Sequence, residues 1–225
     1  MNNIFTKFKH RITKKLDILL AMKRRESLTN TDFSIICNNC WAGYVYRRYK
    51  LPYATPFIGL YLFAEDYVKL CENFKFYTKQ PIEFIDCKDS KYCDIIAERN
   101  QQNVPIGKLH DVEIIFLHYK TQEEAKEKWE RRIKRINYDN LIFKFSKMNY
   151  CTDEHLKRFD SLKAKKKFCF VPPEDAGLIK CGVPFKSAKE KKEVGNDTLE
   201  YSKYIDIEKL INAETVCGLN MTKAK

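Results

Sequence analysis

Two cysteines and a histidine carry the sharpest chemical options in this chain. Cys37-Asn38-Asn39-Cys40-Trp41 closes one short apolar run, and His118-Tyr119-Lys120 closes another. A C-x-x-C pair suits thiol–disulfide exchange when amide donors and positive charge lower the pKa of one thiol. Structural zinc needs a second pair of soft ligands, and neither Cys87 and Cys93 nor the scattered histidines form a recognisable one. A single nucleophile is simpler to build. Cys40 would attack an activated acyl group, His118 would take its proton, and backbone amides from Asn39 to Gly43 would hold the oxyanion. His118 could instead act directly as a general base on a sugar hydroxyl. The plain alternative is a small buried cysteine and a hydrogen-bonded histidine at a strand end.

Carboxylates and cations offer further contacts. Asp66 and Asp111 could orient a base, coordinate a cation or bind sugar hydroxyls; as plain alternatives, Asp66 caps a helix and Asp111 makes a turn. Lys128, Arg131, Arg132, Lys134 and Arg135 crowd the second half of one helical segment, with Asn140 in the loop beyond. Arginine forks match phosphate oxygens, which suits a coenzyme or a nucleotide diphosphate. Glu127 and Glu130 lie among these cations, so a salt-linked solvated face is the competing reading. No G-x-G-x-x-G, P-loop, zinc-protease or G-x-S-x-G motif occurs.

The elements that must position these groups follow from periodicity. Phe33 to Ile36, Phe57 to Phe63, Pro81 to Asp86, Leu141 to Phe145 and Lys167 to Val171 read as strands, and Val112 to Leu117 as the central one. Glu65 to Tyr77, Gln122 to Ile136 and Cys151 to Ser161 read as helices, the second capped by Thr121 and the third by Thr152 or Asp153. Residues 188–198 read as an exposed loop, and Tyr204 to Ile211 as a closing helix. The alternation predicts an α/β domain, a layered mixed or mostly parallel sheet flanked by helices, with chemistry at the carboxyl ends of its strands. The expected organisation is a basic amphipathic helix and hinge at residues 1–27, a single domain at 28–211 and a tail at 212–225.

Composition bounds the partners. With 44% hydrophobic residues, 15 Phe and 13 Tyr, the chain has material for a true core. Eight of its Lys and Arg fall in residues 1–25 against Asp17 alone, so the rest of a chain of net charge +12 is only mildly basic. That argues against a nucleic-acid duplex as partner. Apolar residues three or four apart across residues 4–22 predict a helix that packs on its own domain, lies on an acidic membrane surface or meets a partner. Nine scattered cysteines without a secretory signal predict a reducing compartment. The expected location is the cytoplasm, with peripheral attachment to the inner face of the cell membrane.

Four blocks carry a family resemblance: FSIICNNCWAGYVY, LPYATPFIGLYLFAEDYVKL, VPIGKLHDVEIIFLHYKTQEEAKEKWERRIKRINYDNLIFKF and CTDEHLKRFDSL. Together they resemble the bacterial exopolysaccharide biosynthesis proteins known as the domain of unknown function DUF1919. Asn38, Asn39, Cys40, Trp41 and Gly43 match the family's Ser-Asn-Asn-Cys-Trp-Gly-Gly pattern, while Cys37 replaces its serine and Ala42 its first glycine. The resemblance implies an α/β protein with a role in cell-surface polysaccharide or glycan assembly. Separately from the resemblance, which implies no particular reaction, the leading expectation is a cysteine-dependent acyltransferase that moves an acyl group from acyl-CoA to a sugar hydroxyl. The alternatives are a glycosyltransferase using a nucleotide-sugar donor with a divalent cation, and a non-catalytic component that binds glycan or lipid. Cys40, His118, Asp66 and Asp111 are the catalytic candidates. Asn38, Asn39, Trp41, Gly43, Tyr119, Lys120, Arg131, Arg132, Arg135 and Asn140 are the binding candidates.

Overall fold

The computed structural model describes residues 18–218. It begins in a helix over residues 18–26 and then enters β1 (Ser34–Cys37), whose four residues are all buried. The chain turns at Asn38 into α1 (Trp41–Arg48), where Trp41, Ala42, Val45 and Tyr46 form one buried face. The segment after α1 was expected to contain a strand over Phe57 to Phe63. It is irregular instead, with bends at residues 55–56 and 58–59, and among the described residues it pairs with a sheet through a single bridge between Tyr61 and Ile115. Next come α2 (Ala64–Glu72) and α3 (Phe74–Tyr77), two short helices where one was expected.

A small antiparallel sheet follows, built from β2 (Glu83–Ile85), β3 (Ile106–Leu109) and β4 (Val112–Ile115), with α4 (Cys93–Glu98) inserted after β2. Its order is β2-β3-β4, so the run from Val112 is an edge strand of the small sheet rather than the centre of a large one. Four buried residues in a row satisfy a core on both faces, and they satisfy it equally when a helix and an irregular segment cover the edge.

The chain then passes through α5 (Gln122–Ile133) to β5 (Leu141–Ser146), α6 (Asp153–Ser161), β6 (Lys166–Val171), β7 (Gly182–Pro184), α7 (Ile207–Asn212) and β8 (Val216–Cys217). β1, β5, β6 and β7 form a sheet in that order, with β8 also on β6, and every pairing is parallel. Thr121 accepts a hydrogen bond from Glu124 N to open α5, and Thr152 accepts one from His155 N to open α6. Both caps were readable as local sequence. The main apolar core packs around the parallel sheet, and a smaller cluster of Tyr61, Phe63, Ile96, Ile106 and Ile115 packs by the antiparallel one. The architecture is thus mixed α/β with flanking helices.

The expected location requires correction. Among the described residues no helix is long and apolar enough to cross a membrane, which takes about 20 apolar residues. The amphipathic helix expected over residues 4–22 lies outside the described residues as far as residue 17. In the part that is described, Leu19, Leu20 and Met22 are exposed while Ala21 is buried. Membrane attachment is therefore not carried forward.

Candidate functional site

The Asn38-Asn39 pair leaves the carboxyl end of β1 and is consumed by the fold. Asn38 donates through Nδ2 to Ser146 O and accepts at Oδ1 from Ser146 N, both at 3.1 Å, which ties the ends of β1 and β5 together. Asn39 joins a buried cluster: its Oδ1 accepts from Lys144 Nζ at 3.1 Å and its Nδ2 donates to Asp197 Oδ1 at 3.0 Å. Lys144 and Asp197 form an ion pair with both side chains at 0% exposure. Asp197 comes from the stretch expected to be an exposed loop; that stretch instead buries Val194 and Asp197 across the strand ends. A lone lysine in a buried strand requires a carboxylate, which is what the loop brings.

The two cysteines differ in environment. Cys37 is fully buried and its Sγ donates to Asn39 O at 3.0 Å; burial pushes its thiol from 9.0 up to about 11. Cys40 is half-buried and its Sγ points to Leu60 O at 3.7 Å. Burial raises the Cys40 pKa, and the Asp197 charge raises it further. The two sulfurs are directed to different carbonyls, those of Asn39 and Leu60, which is not the facing arrangement of an exchange pair. An alkaline signature follows from Cys37. Its thiol ionises near 9.0 in the unfolded chain and near 11 in the fold, so the unfolded state loses its proton first and stability falls as pH rises through that window. Unfolding free energies from urea melts should therefore fall less steeply with pH in Cys37→Ala than in the parent chain; parallel slopes would remove Cys37 as a cause.

Cys40 and His118 meet at one cavity of about 370 Å³, lined also by Gly43, Tyr44, Arg47, Tyr53, Ile58, Gly59, Tyr119, Lys128 and Arg132. No hydrogen bond joins Cys40 to His118 among the described residues. Helix α1 supplies Cys40's neighbour Gly43 and, one turn on, Arg47. A Cβ at Gly43 would stand 3.3 Å from Arg47 Nη1, so glycine there leaves the guanidinium its space. Gly59 adopts φ +70° and faces the His118 Cβ, which seats the histidine against the irregular segment.

Helix α5 supplies the opposite wall, because Lys128 and Arg132 are four residues apart on one face. Arg132 is only 8% exposed; its Nη1 donates to Tyr119 Oη at 2.6 Å, and that hydroxyl donates to Ile58 O at 2.6 Å. Burial raises the Tyr119 pKa, against the opposing pull of Arg132. Each cation lies over an aromatic ring: Arg47 at 4.4 Å from the Tyr44 centroid, Arg132 at 5.1 Å from Tyr53 and Lys128 at 5.4 Å from Tyr119. Lys128 pairs with Glu124. Among the described residues neither Arg47 nor Arg132 has a carboxylate within 4.0 Å, and no carboxylate lines the cavity. A buried guanidinium without a counter-ion is costly, and an anionic ligand would offset that cost.

The remaining candidates lie elsewhere. Asp66 is fully buried, bound through Oδ1 to Lys91 Nζ at 2.5 Å and accepting from Glu113 N at 2.9 Å; burial raises its pKa. Asp111 takes Lys69 Nζ at 2.7 Å and Tyr77 Oη at 2.8 Å, and the Lys69 bond holds its pKa well below the usual carboxylate range. Both tie the small sheet to α2 and α3. Trp41 is wholly buried, edge-on to Phe168 and Tyr201, and its Nε1 has no hydrogen-bond partner among the described residues. Lys120 is exposed, its N–H donating to Glu124. Arg131 faces outward beside Glu127, and Arg135 reaches Tyr53 O at 3.4 Å. Asn140 precedes β5 and lines a different cleft of about 590 Å³ with Lys166 and Ile211. The strands are parallel, so that cleft lies at the opposite end of the sheet from Asn38.

Sequence reasoning did not single out Arg47, Tyr44 or Tyr53 for the cavity, nor Lys144, Ser146 and Asp197 for the cluster. The Lys144 signal was present as a charge inside the apolar run LIFKF. Among the described residues no group of three or more His, Cys, Asp or Glu could hold a metal ion.

Comparison with known proteins adds two findings. The family model described as Domain of unknown function (DUF1919) matches residues 10–216. An uncharacterized protein of Haemophilus influenzae is 30% identical over 201 residues, covering 89% of this chain and 90% of that protein.

Proposed function

The chain belongs to the DUF1919 family, and from that premise we propose that it is a transferase of cell-surface polysaccharide assembly. In this reading it moves a group from a phosphate-bearing donor to a sugar hydroxyl, in the cavity between α1 and α5. One observation carries the proposal: Arg132, 8% exposed and without a carboxylate partner among the described residues, lines that cavity together with Arg47 and Lys128. Guanidinium forks would bind the phosphate oxygens of the donor and stabilise charge on the departing group. His118, at the same cavity, takes the proton of the acceptor hydroxyl as its oxygen attacks the donor's electrophilic carbon. Direct transfer is favoured over a covalent route, because the Cys40 Sγ points to Leu60 O and no hydrogen bond joins it to His118 among the described residues.

The covalent acyl route through Cys40 stays as a second reading because Cys40 and His118 line one cavity. Purified chain incubated with sugar acceptors and panels of acyl-CoA and nucleotide-sugar donors tests both. Donor-dependent release of coenzyme A or nucleoside phosphate is expected. His118→Ala should lose about 10²–10⁴-fold in turnover, a usual range for general-base removal. Cys40→Ala should retain most turnover; its loss, with the fold intact, would establish the covalent route. Failure to bind or consume any phosphate-bearing donor would end the transferase reading.

A further inference from the structure

Cys87 and Cys93 belong to neither the cavity nor the apolar core around the parallel sheet, yet their sulfurs lie 3.6 Å apart. Two successive turns produce this approach: Ser90 N donates to Cys87 O and Cys93 N donates to Ser90 O, both at 3.1 Å. The chain between them, Lys88 to Tyr92, is thereby folded back on itself. Both cysteines are half-buried, so a small reagent can reach them, in contrast to the fully buried Cys37, Cys169 and Cys181. The C-x-x-C pair that looked redox-active in sequence directs its two sulfurs to separate carbonyls, those of Asn39 and Leu60.

We propose that Cys87 and Cys93 form a reversible dithiol–disulfide pair that responds to low-molecular-weight disulfides. Closing the contact to the bonded distance of about 2.05 Å requires side-chain rotation within a turn already formed. One thiolate attacks a sulfur of the small disulfide, breaks its S–S bond and releases one small thiolate, leaving a mixed disulfide on the protein. The second cysteine's thiolate then attacks the protein sulfur of that mixed disulfide and expels the second small thiolate. The two protein thiols are oxidised by two electrons, the small disulfide is reduced to two thiols, and the two protons lost by the protein go to those products.

The consequence is local and mechanical. Ser90 and Lys91, inside the closed loop, hold Glu113 through Ser90 Oγ and Lys91 N, and Lys91 Nζ neutralises buried Asp66. Glu113 belongs to β4, the strand that leads to His118. Oxidation would pin the segment that anchors this strand.

Full-length chain equilibrated across reduced and oxidised glutathione ratios, then alkylated and digested, tests the pair. The expected result is joint protection of Cys87 and Cys93 in one two-electron step, recovered as a single linked peptide lighter by two hydrogens and restored by dithiothreitol. In Cys87→Ser, Cys93 should yield only a mixed disulfide, and Cys93→Ser should do the same for Cys87. Full alkylation of both at the oxidising end, mixed disulfides alone in the parent chain, or linkage of either to another cysteine would each overturn the proposal. Circular dichroism of both serine variants confirms that the fold is intact for the comparison.

Discussion

Asp197→Ala is expected to lower the unfolding free energy by about 3–5 kcal/mol, the range for leaving one member of a buried ion pair uncompensated. Lys144 has no route to water: its side chain is 0% exposed, and its Nζ sits 5.8 Å from the Trp41 ring and 5.6 Å from the Phe170 ring. Without Asp197 it would keep the Asn39 Oδ1 bond and two ring faces, which together do not replace a carboxylate. Ser146 Oγ would lose its acceptor in the same stroke, and Asn39 Nδ2 would keep only the Met148 Sδ contact at 3.5 Å. Urea unfolding measures the loss. The double change Lys144→Met with Asp197→Leu should recover part of it, because it removes the uncompensated buried charge while Ser146 Oγ and Asn39 still lack the partners they have lost. A single-variant loss below about 1 kcal/mol, the usual worth of an exposed pair, would mean that the pair is hydrated in solution.

Arg132→Met is expected to weaken binding of pyrophosphate, used as a stand-in for the donor's phosphates, by about 10–100-fold, corresponding to roughly 1.5–3 kcal/mol for a hydrogen bond to a charged group. Arg132→Lys should fall between, since an ammonium keeps the charge but lacks the fork. The control is Arg131→Met on the same helix, where the side chain faces outward beside Glu127 and should leave binding unchanged. Isothermal titration calorimetry at fixed ionic strength reads all three. Equal weakening by Arg131→Met and Arg132→Met would show a diffuse charge effect, and the cavity would lose its claim to the anion.

These two experiments also mark how far the sequence could be read. The adjacent arginines at 131 and 132 carry the same charge and nearly the same helical context, and both were candidates. One turns to a salt link with Glu127 and the other into a desolvated wall against Tyr119. Asp66 and Asp111 look equally able, in sequence, to orient a base, coordinate a cation or bind sugar hydroxyls, but each is held by a lysine remote in sequence, Lys91 and Lys69 respectively. The helix at Trp41 to Arg48 escaped notice because its aromatic and β-branched residues favour extended chain by propensity, and burial of one face overrides that preference.

What the sequence determined by itself was local: the Thr121 and Thr152 caps and the apolar strands flanking α6. Those features depend on hydrogen bonds and side-chain periods within a few residues, and such rules are legible in one dimension. The tertiary structure alone decided that Val112 would line an edge, that Asp197 would cross the strand ends to neutralise Lys144, and that Cys40, His118 and Arg132 would share a cavity. Each of these outcomes depends on the desolvation and charge pairing of groups far apart in the chain, and a residue's counter-ion, unlike its helix cap, has no fixed spacing from it.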